Sequence, residues 1–112
     1  MSGRLAGAVL ASALLRLAES RGGFGAVLAR GEDRNGTVGV VLLERGERPR
    51  FFERTLSAEA RYEWVATIEG IDDMDEFSER LRRLRDRDPD LWIVELDIAS
   101  SDRFAAEMNA LD

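Results

Sequence analysis

The spacing of apolar positions divides the chain into eight segments. Over residues 4–21 alanine and leucine dominate, and Leu10, Leu14 and Leu17 recur at helical intervals, which predicts a helix. Gly22-Gly23 closes it, because glycine accepts the left-handed backbone found at helix ends. Phe24 to Arg30 alternates loosely as a strand. Gly31 to Gly36 finishes on Asn-Gly, a turn signal, and Thr37 to Glu44 is β-branched and apolar. Val38, Val40 and Leu42 on one face and Val41 and Leu43 on the other predict a central strand covered on both sides. Arg45-Gly46-Glu47-Arg48-Pro49 reads as a turn and Arg50 to Leu56 as a third strand. Beyond a short polar link, Tyr62, Trp64, Ala66 and Ile68 alternate with Glu63, Val65, Thr67 and Glu69, the period of a half-buried strand.

A strongly patterned helix follows. Asp73 and Glu76 make a capping-box pair, and Met74, Phe77, Leu81 and Leu84 fall on one face. Arg80, Arg82, Arg83, Arg85 and Arg87 load its C-terminal half, matching the helix dipole. Pro89 stops it, since the residue before a proline is pushed out of helical geometry. Leu91 to Ile98 is a last strand, and Phe104, Met108 and Leu111 mark a short closing helix. The order α-β-β-β-β-α-β-α predicts a single α+β domain over residues 1–112, with a mixed, mostly antiparallel sheet covered by helices.

Composition narrows the chemistry. The 112 residues are 45% apolar and 34% charged, an ordinary globular balance for one domain with its own core. There is no cysteine and no histidine, so thiol nucleophiles, disulfides, serine–histidine triads and the usual zinc sites are excluded. All 16 basic residues are arginine. A lysine-free chain has no P-loop lysine, Schiff base or ordinary pyridoxal-phosphate anchor. Arginine throughout suits phosphate recognition, although a codon bias converting surface lysines to arginines gives the same composition. The net charge of −6 argues against a general affinity for nucleic acid. Arg4 before the uncharged run Leu5 to Leu15 imitates a targeting signal, and Ala11-Ser12-Ala13 a cleavage site. Arg16 interrupts that run, the periodicity continues through Leu17, and the run is short of the roughly 20 residues that span a bilayer. The expectation is a buried first helix in a cytoplasmic protein with no membrane attachment.

Several of these residues also carry a likeness. Ala13-Leu14-Leu15-Arg16, Gly22-Gly23-Phe24, Arg30-Gly31 and Asp88-Pro89-Asp90-Leu91-Trp92-Ile93-Val94-Glu95 occur in that order. In this the chain resembles the small bacterial proteins grouped as the domain of unknown function 1491 family. The likeness runs from the first helix to the last strand and is weaker in the middle. Members of that family often place an aromatic residue before the Asp-Pro-Asp-Leu-Trp run, where this chain has Arg87. The family has no established activity, so the resemblance implies an intact cytoplasmic domain and names no site.

Four clusters are candidates for chemistry. Asp86, Asp88 and Asp90 imitate the start of a calcium loop, but Leu91 stands where that loop needs glycine and Pro89 intrudes, so they read as turn caps and no metal or cofactor is expected. Gly22-Gly23-Phe24-Gly25 follows a helix and opens a strand, the reverse of a phosphate-cradling loop. Glu95 and Asp97 share one side of the last strand about 7 Å apart, a common spacing that singles out no catalytic pair. Arg80, Arg83 and Arg87 share a helix face and offer a docking surface for an anionic ligand, such as a nucleotide or RNA, unless Glu76, Glu79 and Asp86 neutralise them. Phe51 and Phe52 must face opposite sides of a strand, so one is core and the other a candidate subunit contact. Phe52, with Trp64 and Trp92 near strand ends, is a candidate contact for a protein partner or a second copy, the tryptophans being equally suited to the core. The leading expectation is a non-enzymatic module working through protein contact or self-association. The alternative is an anion binder through the arginine helix, with nucleic acid disfavoured by the overall charge. No catalytic residue is assigned.

Overall fold

The computed structural model describes residues 6–109 and holds the eight elements in the expected order. They are α1 (Gly7–Ser20), β1 (Phe24–Ala29), β2 (Val38–Glu44), β3 (Glu47–Leu56), β4 (Tyr62–Ile68), α2 (Met74–Arg87), β5 (Trp92–Ile98) and α3 (Ser101–Met108). The expected helix start at Arg4, and Leu111 of the closing helix, lie outside the described residues. The five strands form one sheet in the order β1-β5-β2-β3-β4. β5 runs parallel to β2, and the other neighbouring strands are antiparallel. The chain therefore walks outward from β2 to β4, returns across one face as α2, and threads β5 between β1 and β2. This is the α+β fold that the element order implied.

Two cores result, one on each side of the sheet. α1 and α3 cover one face with Leu10, Leu14, Phe104 and Met108 over Val40, Leu42, Val94 and Leu96. α2 covers the other with Phe77 and Leu81 over Val41, Phe51 and Ile93. Every residue of β2 but its last is buried, as its doubly apolar pattern predicts. Each fully buried leucine or phenylalanine contributes about 1.5–3 kcal/mol by leaving water, so the two-sided cover accounts for most of the fold's cohesion.

Three details depart from the sequence pattern. β3 begins at Glu47, three residues early, because Arg45 and Gly46 alone make the hairpin turn, both at positive φ (52° and 79°). Arg48, at φ 56°, and the buried Pro49 then form a bulge between the Leu42↔Arg50 and Glu44↔Glu47 pairs, a place where a strand tolerates proline. Met74, assigned to the apolar face of α2, is 41% exposed, because as the first helical residue it lies beyond the core that Phe77 enters. Asp73 does cap that helix, but its side chain accepts from the Asp75 N–H at 2.9 Å.

Candidate functional site

The residues expected at an interface are core residues instead. Phe52, Trp64 and Trp92 are 5%, 7% and 3% exposed and pack together beneath α1 and α3. Period-two alternation places them on one face of the sheet, and that face is covered by the chain's own helices. Phe51 points the opposite way into the second core, so neither phenylalanine of the pair is left for a partner.

Trp92 is the hub of a dense polar knot. Its indole N–H donates to the Glu32 carbonyl at 2.8 Å, and its backbone N–H to the Thr37 carbonyl at 2.8 Å. Glu32 in turn donates its N–H to the Asp90 carbonyl, and its carboxylate accepts from the backbone of Arg34 and Asn35. The Arg30 guanidinium lies over the Trp92 ring, 4.9 Å from its centroid, and Arg85 donates to the Arg30 carbonyl. Gly31 and Gly36 press against the Asp90 carbonyl so closely that a Cβ on either would collide with backbone. Of the aspartates read as turn caps, Asp88 accepts from the Asp90 N–H at 3.1 Å, whereas Asp86 lies within α2. Among the described residues no acidic group of three or more is arranged to hold a metal ion.

Glu95 and Asp97 flank an open shelf beside Phe24 and Leu43, and Asp97 accepts the Gly46 N–H at 3.1 Å, bracing the β2–β3 turn. A second polar cluster joins α3 to β2 and β3. Glu44 accepts from both the backbone N–H and the hydroxyl of the buried Ser101, at 3.0 and 2.9 Å. These two bonds, with Arg48 adjacent at 3.3 Å, hold the Glu44 carboxyl below its ordinary range. Arg50 bridges Ser101 and Asp102. Ser101 is fully buried, so the cluster reads as a helix cap built from a distant strand.

The arginine face is different. Arg80, Arg83 and Arg87 line one wall of a cleft of about 230 Å³, with Glu53, Thr67 and Ile68 of β3 and β4 opposite. The three are exposed because α2 turns Phe77 and Leu81 to the sheet, while Arg80, Arg83 and Arg87, three and four residues from one another, share a flank outside that core. Of the acids expected to neutralise them, only Glu79 does so: it binds Arg82 and lies 3.7 Å from Arg83. Among the described residues no carboxylate lies within ion-pair distance of Arg80 or Arg87. Arg85 is turned away to Arg30. The far wall is held by Thr67, which donates to Glu53 at 2.6 Å. Its contribution escaped the sequence pattern because Glu53 and Thr67 meet the α2 arginines only through the packing of α2 against the sheet. A bulge between Phe52 and Phe51 in the β3–β4 pairing leaves Thr67 as the extra residue on that edge.

The family model for "Protein of unknown function (DUF1491)" matches residues 5–106. The chain belongs to the DUF1491 family. Among solved structures it resembles the crystal structure of a DUF1491 family protein from Caulobacter crescentus CB15, with a TM-score of 0.79 and 26% identity over 88% of this chain and 92% of that one. An NMR structure of a DUF1491 family protein from the same organism gives 0.71 and 26%, over 88% and 91%. The solution structure of protein Atu0922 from A. tumefaciens gives 0.67 and 30%, over 87% and 88%. Nothing among curated proteins matches the chain. No helix among the described residues is long and apolar enough to cross a membrane. Of the residues that carry the resemblance, Arg30-Gly31 and Asp88 to Trp92 meet at the Trp92 knot, while Ala13 to Arg16 lie in α1 and Gly22 to Phe24 at its end and the start of β1.

Proposed function

We propose that this DUF1491 protein is a non-enzymatic binding module and that the cleft between α2 and the β3–β4 edge takes an anionic ligand. The observation that carries the reading is the pair Arg80 and Arg87, two exposed guanidinium groups in one cleft with no carboxylate in ion-pair range among the described residues. A row in which only Arg83 has a carboxylate partner leaves like charges to repel each other, a cost that a bound anion removes. Only the last turn gains from the helix dipole, which accounts for Arg87 but not for Arg80 or Arg83. Absence of histidine, cysteine and lysine supports binding over catalysis. The test is retention on immobilised heparin at low salt. The wild-type chain, despite its net charge of −6, is retained and released by salt, and the triple variant Arg80→Gln, Arg83→Gln, Arg87→Gln passes through. Passage of both proteins would remove the reading.

Self-association is the second reading, and β1 favours it. β1 is an edge strand without a charged residue, Phe24 on it is 77% exposed, and Val27 and Leu28 are also exposed. Edges without charge pair readily with another strand, and although the register of β1 shifts between Val27 and Ala29, Phe24 to Val27 keep a regular register. A Val27→Lys substitution would lower any dimer content seen by sedimentation, and a wild-type monomer at high concentration would end this reading.

A further inference from the structure

We infer that the anion held by the α2 cleft is a short chain of phosphates, two or more in series, as at the end of a nucleoside polyphosphate or in inorganic polyphosphate. The inference rests on the anion-binding reading and specifies its ligand.

The arginines form a row. At 1.5 Å of rise per residue their Cα positions climb α2 by about 4.5 and then about 6 Å, roughly 10 Å in all. One phosphate presents its oxygens to one or two guanidinium forks, and a row of this length is filled by phosphoryl groups in line. The pairing within the row agrees. Arg83 in the middle leans on Glu79 at 3.7 Å, while Arg80 and Arg87 at the ends have no such partner among the described residues. The strongest attraction is therefore at two separated points. Glu53, on the opposite wall and tied to Thr67, repels an anion seated centrally and presses it toward the arginine wall.

The same surroundings disfavour other polyanions. Among the described residues no aromatic ring lines the cleft, so a nucleic-acid strand finds phosphate contacts but no platform for its bases. Trp64 and Trp92 are buried, and Tyr62 belongs to a separate cleft near α1. At about 230 Å³ the cleft is smaller than the roughly 300–1,000 Å³ of pockets that enclose a whole ligand of drug size. It holds a phosphate tail and leaves the rest of the molecule outside.

The experiment is calorimetric titration of the full chain at fixed low ionic strength with orthophosphate, tripolyphosphate and a ten-nucleotide oligouridylate. Tripolyphosphate is expected to bind at least about tenfold tighter than orthophosphate, one further charge-assisted contact being of that size. Arg80→Gln and Arg87→Gln should each collapse that ratio, and Arg16→Gln, on the exposed side of α1, should leave it unchanged. Equal affinity for the two phosphates would overturn the inference while the anion-binding reading stands. Tighter binding of oligouridylate, lost in the same variants, would overturn it in favour of nucleic acid. Binding of none of the three would overturn both.

Discussion

Around Trp92 the chain brings together polar groups from two distant segments and matches them, the indole N–H with Glu32, the Glu32 N–H with Asp90, and the Trp92 N–H with Thr37. At Arg80 and Arg87, on the helix that leads directly into that knot, long cations stand exposed with no carboxylate within ion-pair distance among the described residues. The two regions share one helix and one turn, yet their construction is opposite. A closed network rigidifies and specifies the fold, because each member left without its partner would be a buried polar group at a cost. An open row of like charges contributes little to folding beyond the helix dipole at Arg87 and the Arg83–Glu79 pair, and gains most when something negative arrives. The Trp92 knot is scaffold, and the proposed ligand face lies outside it.

Substitutions separate the two. Trp92→Ala is expected to cost about 4 kcal/mol, since it empties a large core site and strands the Glu32 carbonyl; urea unfolding followed by far-UV circular dichroism measures this. Gly31→Ala should cost about 2 kcal/mol by the same method, because its Cβ meets the Asp90 carbonyl, which is backbone and cannot rotate away. A stability change below about 0.5 kcal/mol there, the range of a neutral surface change, would break the claim that the Arg30–Gly36 loop and the Asp-Pro-Asp turn lock together.

Acid titration probes a polar cluster of the structural kind. Glu44 is held below its ordinary range chiefly by the Ser101 backbone N–H and then by the Ser101 hydroxyl. A depressed native value means the stabilisation is complete above the ordinary glutamate value of about 4.3 and is lost as pH falls below it, through the lower native value. Urea midpoints measured from neutral pH downward should therefore fall less steeply for Glu44→Gln than for wild type. Superimposable profiles would show that the α3 cap draws nothing from the Glu44 charge. The smallest effect on stability is expected at the cleft: Arg80→Gln and Arg87→Gln should each shift it by less than about 0.5 kcal/mol, with anion binding lost all the same. A larger loss of stability would make these arginines part of the scaffold and erase the contrast.

Local periodicity carried the element order, the central position of β2 and the shared face of Arg80, Arg83 and Arg87, because each depends on residues near one another in the chain. Pairing across the sheet was not legible in the same way. Nothing local in Trp92 or Ile93 announces that β5 enters between β1 and β2. Phe52, Trp64 and Trp92 looked like partner contacts because alternation identifies a face without telling what covers it. Pro49 imitated a turn because a bulge accommodates the same residues that turns prefer. Glu53 and Thr67 joined the candidate cleft only through the return of α2 across the sheet, and Glu32 joined Trp92 across sixty residues by contact alone.

The central claim is that ligand binding belongs to the arginine cleft and architecture to the Trp92 knot. A 15N-resolved NMR titration of the full chain with tripolyphosphate tests it most directly, since both regions report in one spectrum. The account predicts that amide shifts move along Arg80–Arg87 and at Glu53 and Thr67, while the Trp92 indole and the amides of residues 31–37 stay in place. It also predicts that Arg80→Gln and Arg87→Gln abolish the movement. Shifts centred on the Trp92 indole and residues 31–37, with the α2 amides unmoved, would contradict it.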